Sequence, residues 1–386
     1  MMHKSALGWC VAVVLIFFRA GCAGATADST LAFKGLFVPF ALCMESMRPA
    51  DQVAYSQGIG YAGLGLASLD GDVVKEFSTL PDVVSGKFRI VSSLWWVGVD
   101  DPIDTVWLDG VLDDARSMGM AIWMVTAGPD KTDSSKSKAV KMLAMAADRC
   151  KAKGVQLVLY PHIGTVFETA EEALALYDSL NRLGHPEVRI SIHLCHELKA
   201  GSRDRLPSIV AKVAPYLALA SISGADTDTY DKGDDDWASA IMPLNQGTYD
   251  ARIFLRALVA NHYEGPMELH TYNLKAPTAS DYDQHLESSL AIWKSWVPDS
   301  PATATTRPTT KRSPPLAYHF VAGKGWVVRT LLPDARPRVF RLDGSEIPGA
   351  KDASGDWIFS AGRGEMAVLA VQGDVSPSSR LLLPGF

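Results

Sequence analysis

Residues 154–198 read GVQLVLYPHIGTVFETAEEALALYDSLNRLGHPEVRISIHLCHEL and contain two short apolar runs separated by an amphipathic stretch. The runs at 155–162 and 188–194 have the length and apolar content of buried strands. Between them, residues 170–182 repeat apolar side chains at helical spacing. This order predicts a strand–helix–strand unit whose two strands run parallel.

The same alternation extends to both sides of this stretch. Helix-like segments follow the strand-like runs, for example at 139–151, 252–261 and 282–296. Eight such units over about 260 residues match the size of a (β/α)8 TIM barrel, which we predict for residues 30–297. The alternative is an open doubly wound sheet, but no glycines have the spacing of its phosphate-binding turn. The predicted strands lie at 36–42, 61–67, 88–94, 120–126, 155–162, 188–194, 217–223 and 266–272.

The composition of the chain changes after the predicted barrel. Residues 298–315 are rich in proline, threonine and serine, which predicts a linker. Residues 316–386 then alternate short apolar runs with turn signals such as Asp343-Gly344. We therefore predict an α/β protein in which the TIM barrel is followed by a small β-sandwich-like module.

The first 27 residues have the features of an export signal. Lys4 supplies positive charge, residues 6–18 form an apolar run, and Ala25-Thr26-Ala27 is a small-residue cleavage site. These features predict a signal peptide over 1–27 and an exported protein, periplasmic or secreted. The alternative is a lipoprotein with a lipid anchor at Cys22, since Ala20-Gly21-Cys22 is half of a lipobox. No later segment has the pattern of a membrane span.

Charge and cysteine content argue against several classes of protein. A net charge of −6 without a basic run disfavours nucleic acid as a partner, because phosphates require clustered lysine and arginine. The five cysteines are widely spaced and include no Cys-x-x-Cys pair, so they predict neither a disulfide framework nor a zinc motif. No glycine-rich nucleotide motif occurs, and we expect no nucleotide cofactor.

Titratable side chains recur near the carboxyl ends of three predicted strands, which is where a TIM barrel carries its active site. Side chains alternate between the two faces of a strand. The apolar Leu157 and Leu159 therefore face the helices and leave Tyr160 facing the barrel interior. Histidine suits both acid–base chemistry and metal binding. The inward residues predicted in this way are Tyr160, His162, His193, Glu268, His270 and Tyr272, with His196 just beyond the sixth strand.

Four segments around these residues are similar to a known family. They are YPHIG at 160–164, IHLCHELK at 192–199, PLNQGTYD at 243–250 and YEGPMELH at 263–270. Together they resemble the xylose-isomerase-like TIM barrels, in the branch called sugar phosphate isomerase/epimerase. The resemblance extends from about residue 154 to residue 296 and does not include the C-terminal module.

The resemblance implies a divalent metal held by carboxylates and a histidine on strands five to eight. The matching positions here are Tyr160, His193, Ser223 and His270, and only the accessory histidine, His196, keeps its type. Magnesium and manganese are disfavoured because they prefer oxygen ligands. Any bound metal is therefore expected to be zinc or another transition metal, with His193 and His270 as ligands. A metal-free site that uses the histidines alone is the alternative.

The resemblance also implies an enzyme that isomerises or epimerises a sugar by removing a proton from carbon. Such a reaction needs a base, an acid and a group that stabilises the oxyanion. We predict His162, His196 and Glu268 as catalytic residues, with Glu268 as the inward carboxylate base. For sugar binding we predict Tyr160, Asp226, Tyr272 and the pair Trp95 and Trp96, of which one packs in the core.

The expected partner is a small-molecule carbohydrate, a free or keto sugar. A sugar phosphate is disfavoured because no cluster of arginine and lysine marks a phosphate site. Two alternative functions are also compatible with these residues. One is a lyase or hydrolase that cleaves keto glycosides through the same proton abstraction. The other is a non-catalytic carbohydrate-binding barrel. The basic surface expected of the superfamily's DNA-repair endonucleases is missing.

Overall fold

The structure is a computed structural model. It describes residues 30–298 except 129, 234–235 and 273–278, together with strands between residues 317 and 383. The predicted signal peptide and Cys22 lie outside the described residues, as do residues 299–315 of the predicted linker.

Eight parallel strands form the inner layer of the fold. They are β1 (Phe37–Pro39), β2 (Gly63–Leu66), β3 (Arg89–Gly98), β4 (Ala121–Ala127), β5 (Leu157–Leu159), β6 (Arg189–His193), β7 (Leu217–Ile222) and β8 (Met267–Leu269). Their order in the sheet is β1-β8-β7-β6-β5-β4-β3-β2. A parallel bridge between Phe40 and Gly65 brings β1 next to β2 and nearly closes the barrel. Each strand overlaps one of the predicted runs, which confirms the predicted TIM barrel.

Helices between the strands form the outer layer. They are α1 (Pro49–Ile59), α2 (Gly71–Thr79), α3 (Pro81–Val84), α4 (Thr105–Met118), α5 (Asp133–Lys153), α6 (Ala170–Arg182), α7 (Leu194–Lys199), α8 (Leu206–Val213), α9 (Arg252–Ala260) and α10 (Ala279–Trp296). Short 3-10 turns occupy Ala41–Met44, Arg203–Arg205, Ala214–Tyr216 and Thr229–Lys232. None of the helices that the structure describes combines the length and hydropathy needed to cross a bilayer.

Local sequence signals account for the bounds of α6. The Thr169 side chain accepts a hydrogen bond from the Glu172 backbone N–H, and the Glu172 side chain accepts one from the Thr169 backbone N–H. This reciprocal capping box satisfies two amide donors that a helix N-terminus otherwise leaves unpaired. The apolar face of the helix then buries Ala173, Leu176 and Leu180 against the barrel.

Two clusters of the apolar core lie on opposite sides of the barrel strands. The outer part lies between strands and helices and includes Leu157, Leu159 and Ile190. The inner part fills the barrel and consists of Phe40, Trp123, Val125, Val158, Tyr160 and Leu219. The predicted alternation on β5 is therefore confirmed, with leucines outward and Tyr160 inward.

The described C-terminal strands form two antiparallel sheets of four strands each. Their orders are β13-β14-β10-β9 and β12-β11-β15-β16, and this agrees with the predicted β-rich module. The bounds of the linker and of the module stay predictions. The strands are β9 (Ala317–Val321), β10 (Gly325–Arg329), β11 (Arg336–Arg341), β12 (Glu346–Ile347), β13 (Gly349–Lys351), β14 (Trp357–Phe359), β15 (Ala367–Gln372) and β16 (Arg380–Leu383).

Candidate functional site

A cavity of about 220 Å³ opens at the carboxyl end of the barrel strands, where TIM barrels carry their active sites. Tyr160 directly follows β5, and His270 directly follows β8. His193 ends β6, and His196 lies one helical turn beyond it on α7. The cavity is lined by Phe40, Leu42, Leu94, Trp96, Tyr160, His162, His196, Trp237, Ile241, His270 and Tyr272.

The structure brings seven of the ten predicted site residues together. Six of them line the cavity: Tyr160, His162, His196, His270, Trp96 and Tyr272. The seventh, His193, is buried against the Tyr160 ring, with ring centroids 3.9 Å apart and planes 7° from parallel. The inward side chains predicted on three separate strands therefore lie close together, except for Glu268, and their functional roles stay predictions.

Three predicted site residues lie elsewhere. Trp95 is buried in the outer core beside Trp107, because it points to the opposite face of β3 from Trp96. This is the tryptophan of the pair that packs in the core. Asp226 pairs with Lys232 at 3.0 Å outside the cavity lining, so its contacts do not support the predicted role in sugar binding.

Glu268 points into the barrel as predicted, but it is fully enclosed and does not line the cavity. Its carboxylate accepts a hydrogen bond of 2.5 Å from the Ser92 hydroxyl. A β-carbon at Gly65 would lie 2.7 Å from the carboxylate oxygens, so the glycine makes room for the acid. A base must reach the proton that it removes, so the enclosed position of Glu268 does not support its predicted role as the substrate base.

Trp237 is a cavity residue that the sequence did not indicate. It lies in the segment between β7 and α9, with its ring 5.6 Å from that of His162 and 5.2 Å from that of His196. Lys199 holds this segment in place by donating to the backbone carbonyls of Gly233 and Asp236. The Lys199 ammonium also lies 5.0 Å from the centroid of the Trp237 ring, within the range of a cation–π contact.

Hydrogen bonds determine which nitrogen of His162 carries its proton. Nδ1 lies 2.6 Å from the Ile163 carbonyl oxygen, which can only accept. Nδ1 is therefore the N–H donor, and Nε2 of the neutral ring holds the lone pair. His162 thus offers a proton acceptor in a side chain that lines the cavity.

The same reasoning applies to His193. The Ser191 hydroxyl donates its one hydrogen to the Leu159 carbonyl and accepts from the Trp123 indole N–H. His193 Nε2 lies 3.1 Å from the same hydroxyl oxygen, which has no hydrogen left to donate and can only accept a second hydrogen bond. Nε2 therefore carries the ring hydrogen of His193. The lone pair of His193 Nδ1 is left buried, without a partner among the described residues.

Burial sets the charge state of the cluster. It lowers the pKa of His162 to about 4 and the pKa of His270 to about 3. It also lowers the pKa values of His193 and His196 well below that of free histidine. Burial raises the pKa of the Tyr160 phenol well above its usual value. At neutral pH the site therefore holds four neutral imidazoles and a protonated phenol.

The family resemblance implies a bound metal, and the distances and the hydrogen bonds of the site differ on whether a metal fits. One nitrogen from each of His193, His196 and His270 lies within 4.8 Å of the others, so by distance the three residues could hold an ion. The hydrogen bonds of two of these histidines do not fit a metal site. A ligating histidine presents a lone pair to the metal and donates its other N–H outward.

His196 and His270 show the opposite arrangement. The backbone N–H of Ile163 donates to His196 Nδ1 at 3.4 Å, and that of Tyr272 donates to His270 Nδ1 at 3.3 Å. Each neutral ring therefore carries its hydrogen on the inner nitrogen, Nε2. Of the three, only His193 keeps a lone pair free for a metal, and we derive no chemical step through one.

Replacing Glu268 with glutamine should make the protein more stable relative to wild type as the pH rises from 4.5 to 8. Burial raises the pKa of Glu268 to about 8 from its usual 4.5. Between these values the folded protein keeps a proton that the unfolded chain releases, so wild-type stability falls as the pH rises. Glutamine is neutral throughout and does not lose this stability. The difference should reach a few kcal/mol, at about 1.4 kcal/mol per pKa unit.

Urea denaturation of both proteins at pH 5 and pH 8 measures this difference. The same substitution at the exposed Glu264, which pairs with Lys34, controls for the exchange of a glutamate for a glutamine. A difference between wild type and Glu268→Gln that does not change with pH would show that Glu268 is not held protonated.

Sequence comparison finds a family model that matches the part of the chain containing the cluster. Residues 104–293 match the family described as xylose isomerase-like TIM barrel. This range includes the four histidines and Tyr160 of the site. No curated protein matches the chain.

Solved structures of sugar epimerases share the fold. 3-Keto-D-glucoside 4-epimerase from E. coli aligns with 68% of this chain and 100% of its own, at a TM-score of 0.53 and 15% identity. D-Allulose 3-epimerase from Methylomonas sp., in complex with D-allulose, aligns with 69% of this chain and 99% of its own, at a TM-score of 0.52 and 17% identity. D-Psicose 3-epimerase from Clostridium cellulolyticum H10, with D-tagatose, aligns with 68% of this chain and 98% of its own, at a TM-score of 0.53 and 11% identity. At these identities the likeness concerns the fold alone.

Proposed function

Because residues 104–293 match the family described as xylose isomerase-like TIM barrel, we propose that this protein is a sugar isomerase or epimerase. The reaction moves a proton on a carbon next to a carbonyl group of a free or keto sugar. Such a step requires a base and an acid within reach of one substrate.

The observation that carries the proposal is the presence of both kinds of group in one cavity. His162 supplies an imidazole lone pair, because its Nδ1–H faces the Ile163 carbonyl. Tyr160 supplies a hydrogen-bond donor in the same cavity, and the inner nitrogens of His196 and His270 lie 3.3 Å from its phenol oxygen. A ketose bound between them could lose a carbon-bound proton to one side while its oxygen receives a hydrogen bond from the other.

The rest of the cavity suits a single neutral sugar ring. Trp96 and Trp237 line it with indole surfaces, and Trp96 remains 52% exposed, so it is available to a ligand. No lysine, arginine, aspartate or glutamate occurs among its described lining residues, which disfavours a phosphorylated sugar. The volume of about 220 Å³ lies below the range of about 300–1,000 Å³ typical of drug-sized ligands.

A carbohydrate-binding barrel without activity is the second candidate. It is favoured by the absence of any carboxylate from the described cavity lining, since the inward acid, Glu268, is enclosed below. A lyase acting on keto glycosides would use the same base and differs only in the group that leaves from the substrate.

Solvent exchange of substrate protons separates these candidates. The full chain is incubated in D₂O with neutral keto sugars, including D-allulose, D-tagatose and a 3-keto-D-glucoside, and followed by NMR. Deuterium at the carbon next to the carbonyl, with a new isomer or epimer, is the expected result. Loss of the aglycone would indicate the lyase. Saturable binding without exchange would indicate the binding barrel, and the absence of both would overturn the proposal.

A further inference from the structure

Two histidine N–H groups converge on a single phenol oxygen in the cavity. Tyr160 Oη lies 3.3 Å from His196 Nε2 and 3.3 Å from His270 Nε2. Both nitrogens carry a hydrogen, because the outer nitrogen of each ring accepts from a backbone amide. The phenol oxygen has two lone pairs and can accept both hydrogen bonds.

This arrangement decides where the hydrogen of Tyr160 points. Tyr160, His196 and His270 each contribute one hydrogen to this cluster, and the phenol oxygen accepts hydrogen bonds from the two imidazole N–H groups. Neither inner nitrogen has a lone pair left for the phenol hydrogen. Because Tyr160 lines the cavity, its O–H is directed to whatever binds there.

We propose that Tyr160 is the acid of the reaction and that His196 and His270 support it as N–H donors, without a metal ion. The proposal rests on the proposed function for the reaction that it describes. In the forward step His162 Nε2 takes the carbon-bound proton while the Tyr160 O–H bond breaks and the substrate carbonyl oxygen receives that proton. The products are an enol, an imidazolium and a phenolate, so charge and protons balance.

The two N–H donors stabilise the phenolate, which is the anion that forms in this step. Donors that are already aimed at developing charge in a site closed to water contribute strongly to catalysis. The reverse transfers then return a proton to carbon and reprotonate Tyr160. His196 and His270 are positioning residues here, since they act through Tyr160.

Packing holds the phenol ready for this role. The Tyr160 ring stacks on His193 at 3.9 Å and on Trp123 at 4.4 Å between centroids. Stacking on two rings fixes the plane of the phenol, and only a small part of its side chain is exposed. The proton donor therefore needs little reorganisation when a substrate binds.

Nitrogen-15 NMR of the full chain tests the hydrogen-bond assignment without using activity. The signals of His196 and His270 are assigned from single His→Gln variants, and each ring is expected to carry its hydrogen on Nε2. Added Zn²⁺ should leave these signals unchanged. A hydrogen on Nδ1 of either ring, or stoichiometric Zn²⁺ binding that removes the Nε2–H signals, would overturn the proposal even if the protein is an active isomerase.

Variants of position 270 separate an N–H donor from a metal ligand. In His270→Gln the side-chain amide can still donate towards Tyr160, whereas in His270→Leu it cannot. The glutamine variant should keep most of the proton-exchange rate, and the leucine variant should lose about 10²–10³-fold, the effect of removing an oxyanion donor. Equal loss in both variants would favour a ligand role.

Tyr160→Phe tests the acid itself. It should lower the exchange rate by about 10²–10⁴-fold and leave KM nearly unchanged, with the histidine signals of the NMR spectrum retained. If no keto sugar exchanges protons in the wild type, the proposed function fails while the NMR and Zn²⁺ results still decide the hydrogen-bond assignment.

Discussion

Replacing His162 with asparagine should lower the rate of substrate proton exchange by about 10²–10⁴-fold, the usual contribution of a general base. Asparagine can still donate a hydrogen bond to the Ile163 carbonyl, which now accepts from His162 Nδ1 at 2.6 Å. It has no counterpart of the Nε2 lone pair. The fold and sugar binding should therefore persist while proton abstraction fails, and exchange in D₂O under saturating ketose measures the loss.

The pH profile adds a second readout for His162. Burial lowers the pKa of this side chain to about 4, so the base form predominates above that pH and the exchange rate should fall as the pH drops through it. His185→Asn is the matched control, because His185 is buried beyond the other end of β6, next to Asp148 and Glu187. Unchanged exchange in His162→Asn would remove His162 from the mechanism.

Replacing Trp123 with alanine should lower the free energy of unfolding by about 3–5 kcal/mol, as expected for a large aromatic side chain in a core. Trp123 is completely buried inside the barrel. Its ring stacks on Tyr160 at 4.4 Å and on His193 at 4.6 Å, and its N–H donates to Ser191. The substitution should therefore reduce activity beyond what the loss of stability explains.

Trp293→Ala distinguishes these two effects. Trp293 is also completely buried, but it stacks on Phe37 outside the barrel, with centroids 4.1 Å apart. Urea denaturation should show a similar loss of stability in both variants, whereas exchange at a temperature where both are folded should fall only in Trp123→Ala. Equal activities would show that the stack does not position Tyr160.

The strands and their inward residues could be predicted because both depend on local alternation. In a parallel barrel the helix-facing side of each strand is consistently apolar, as Leu157, Leu159 and Ile190 show. The alternate positions of the same strands must then face the barrel interior, which identifies Tyr160 and His193 without knowledge of the rest of the fold. Each of these assignments uses only a few neighbouring residues.

Depth along the barrel axis could not be predicted in the same way. Glu268 and His270 have the same parity, but His270 lies two residues further along the chain, just beyond the end of β8, which is about 7 Å at the usual rise of a strand. That spacing separates a residue in the cavity from one enclosed beneath it. Depth depends on the register between strands, which alternation in a single strand does not contain.

Two other features of the site could not be predicted from the sequence, because they depend on contacts between residues that are far apart in the chain. Trp237 belongs to a segment without periodicity, and Lys199, more than thirty residues earlier in the chain, holds that segment in place. Ring protonation likewise depends on backbone amides that only the folded chain brings near, such as those of Ile163 and Tyr272. The sequence could therefore indicate which histidines gather, but not which of their nitrogens are donors.

The close approach of Gly65 to the Glu268 carboxyl has a consequence for the evolution of this barrel. Any side chain at position 65 would occupy space that the carboxylate oxygens now fill, only 2.7 Å from the place of a β-carbon. A larger residue at 65 is therefore tolerated only after position 268 has become smaller. Among homologues the two positions should covary despite lying on different strands and far apart in the chain. An alignment in which alanine or serine at 65 frequently accompanies glutamate at 268 would show that the barrel can widen instead.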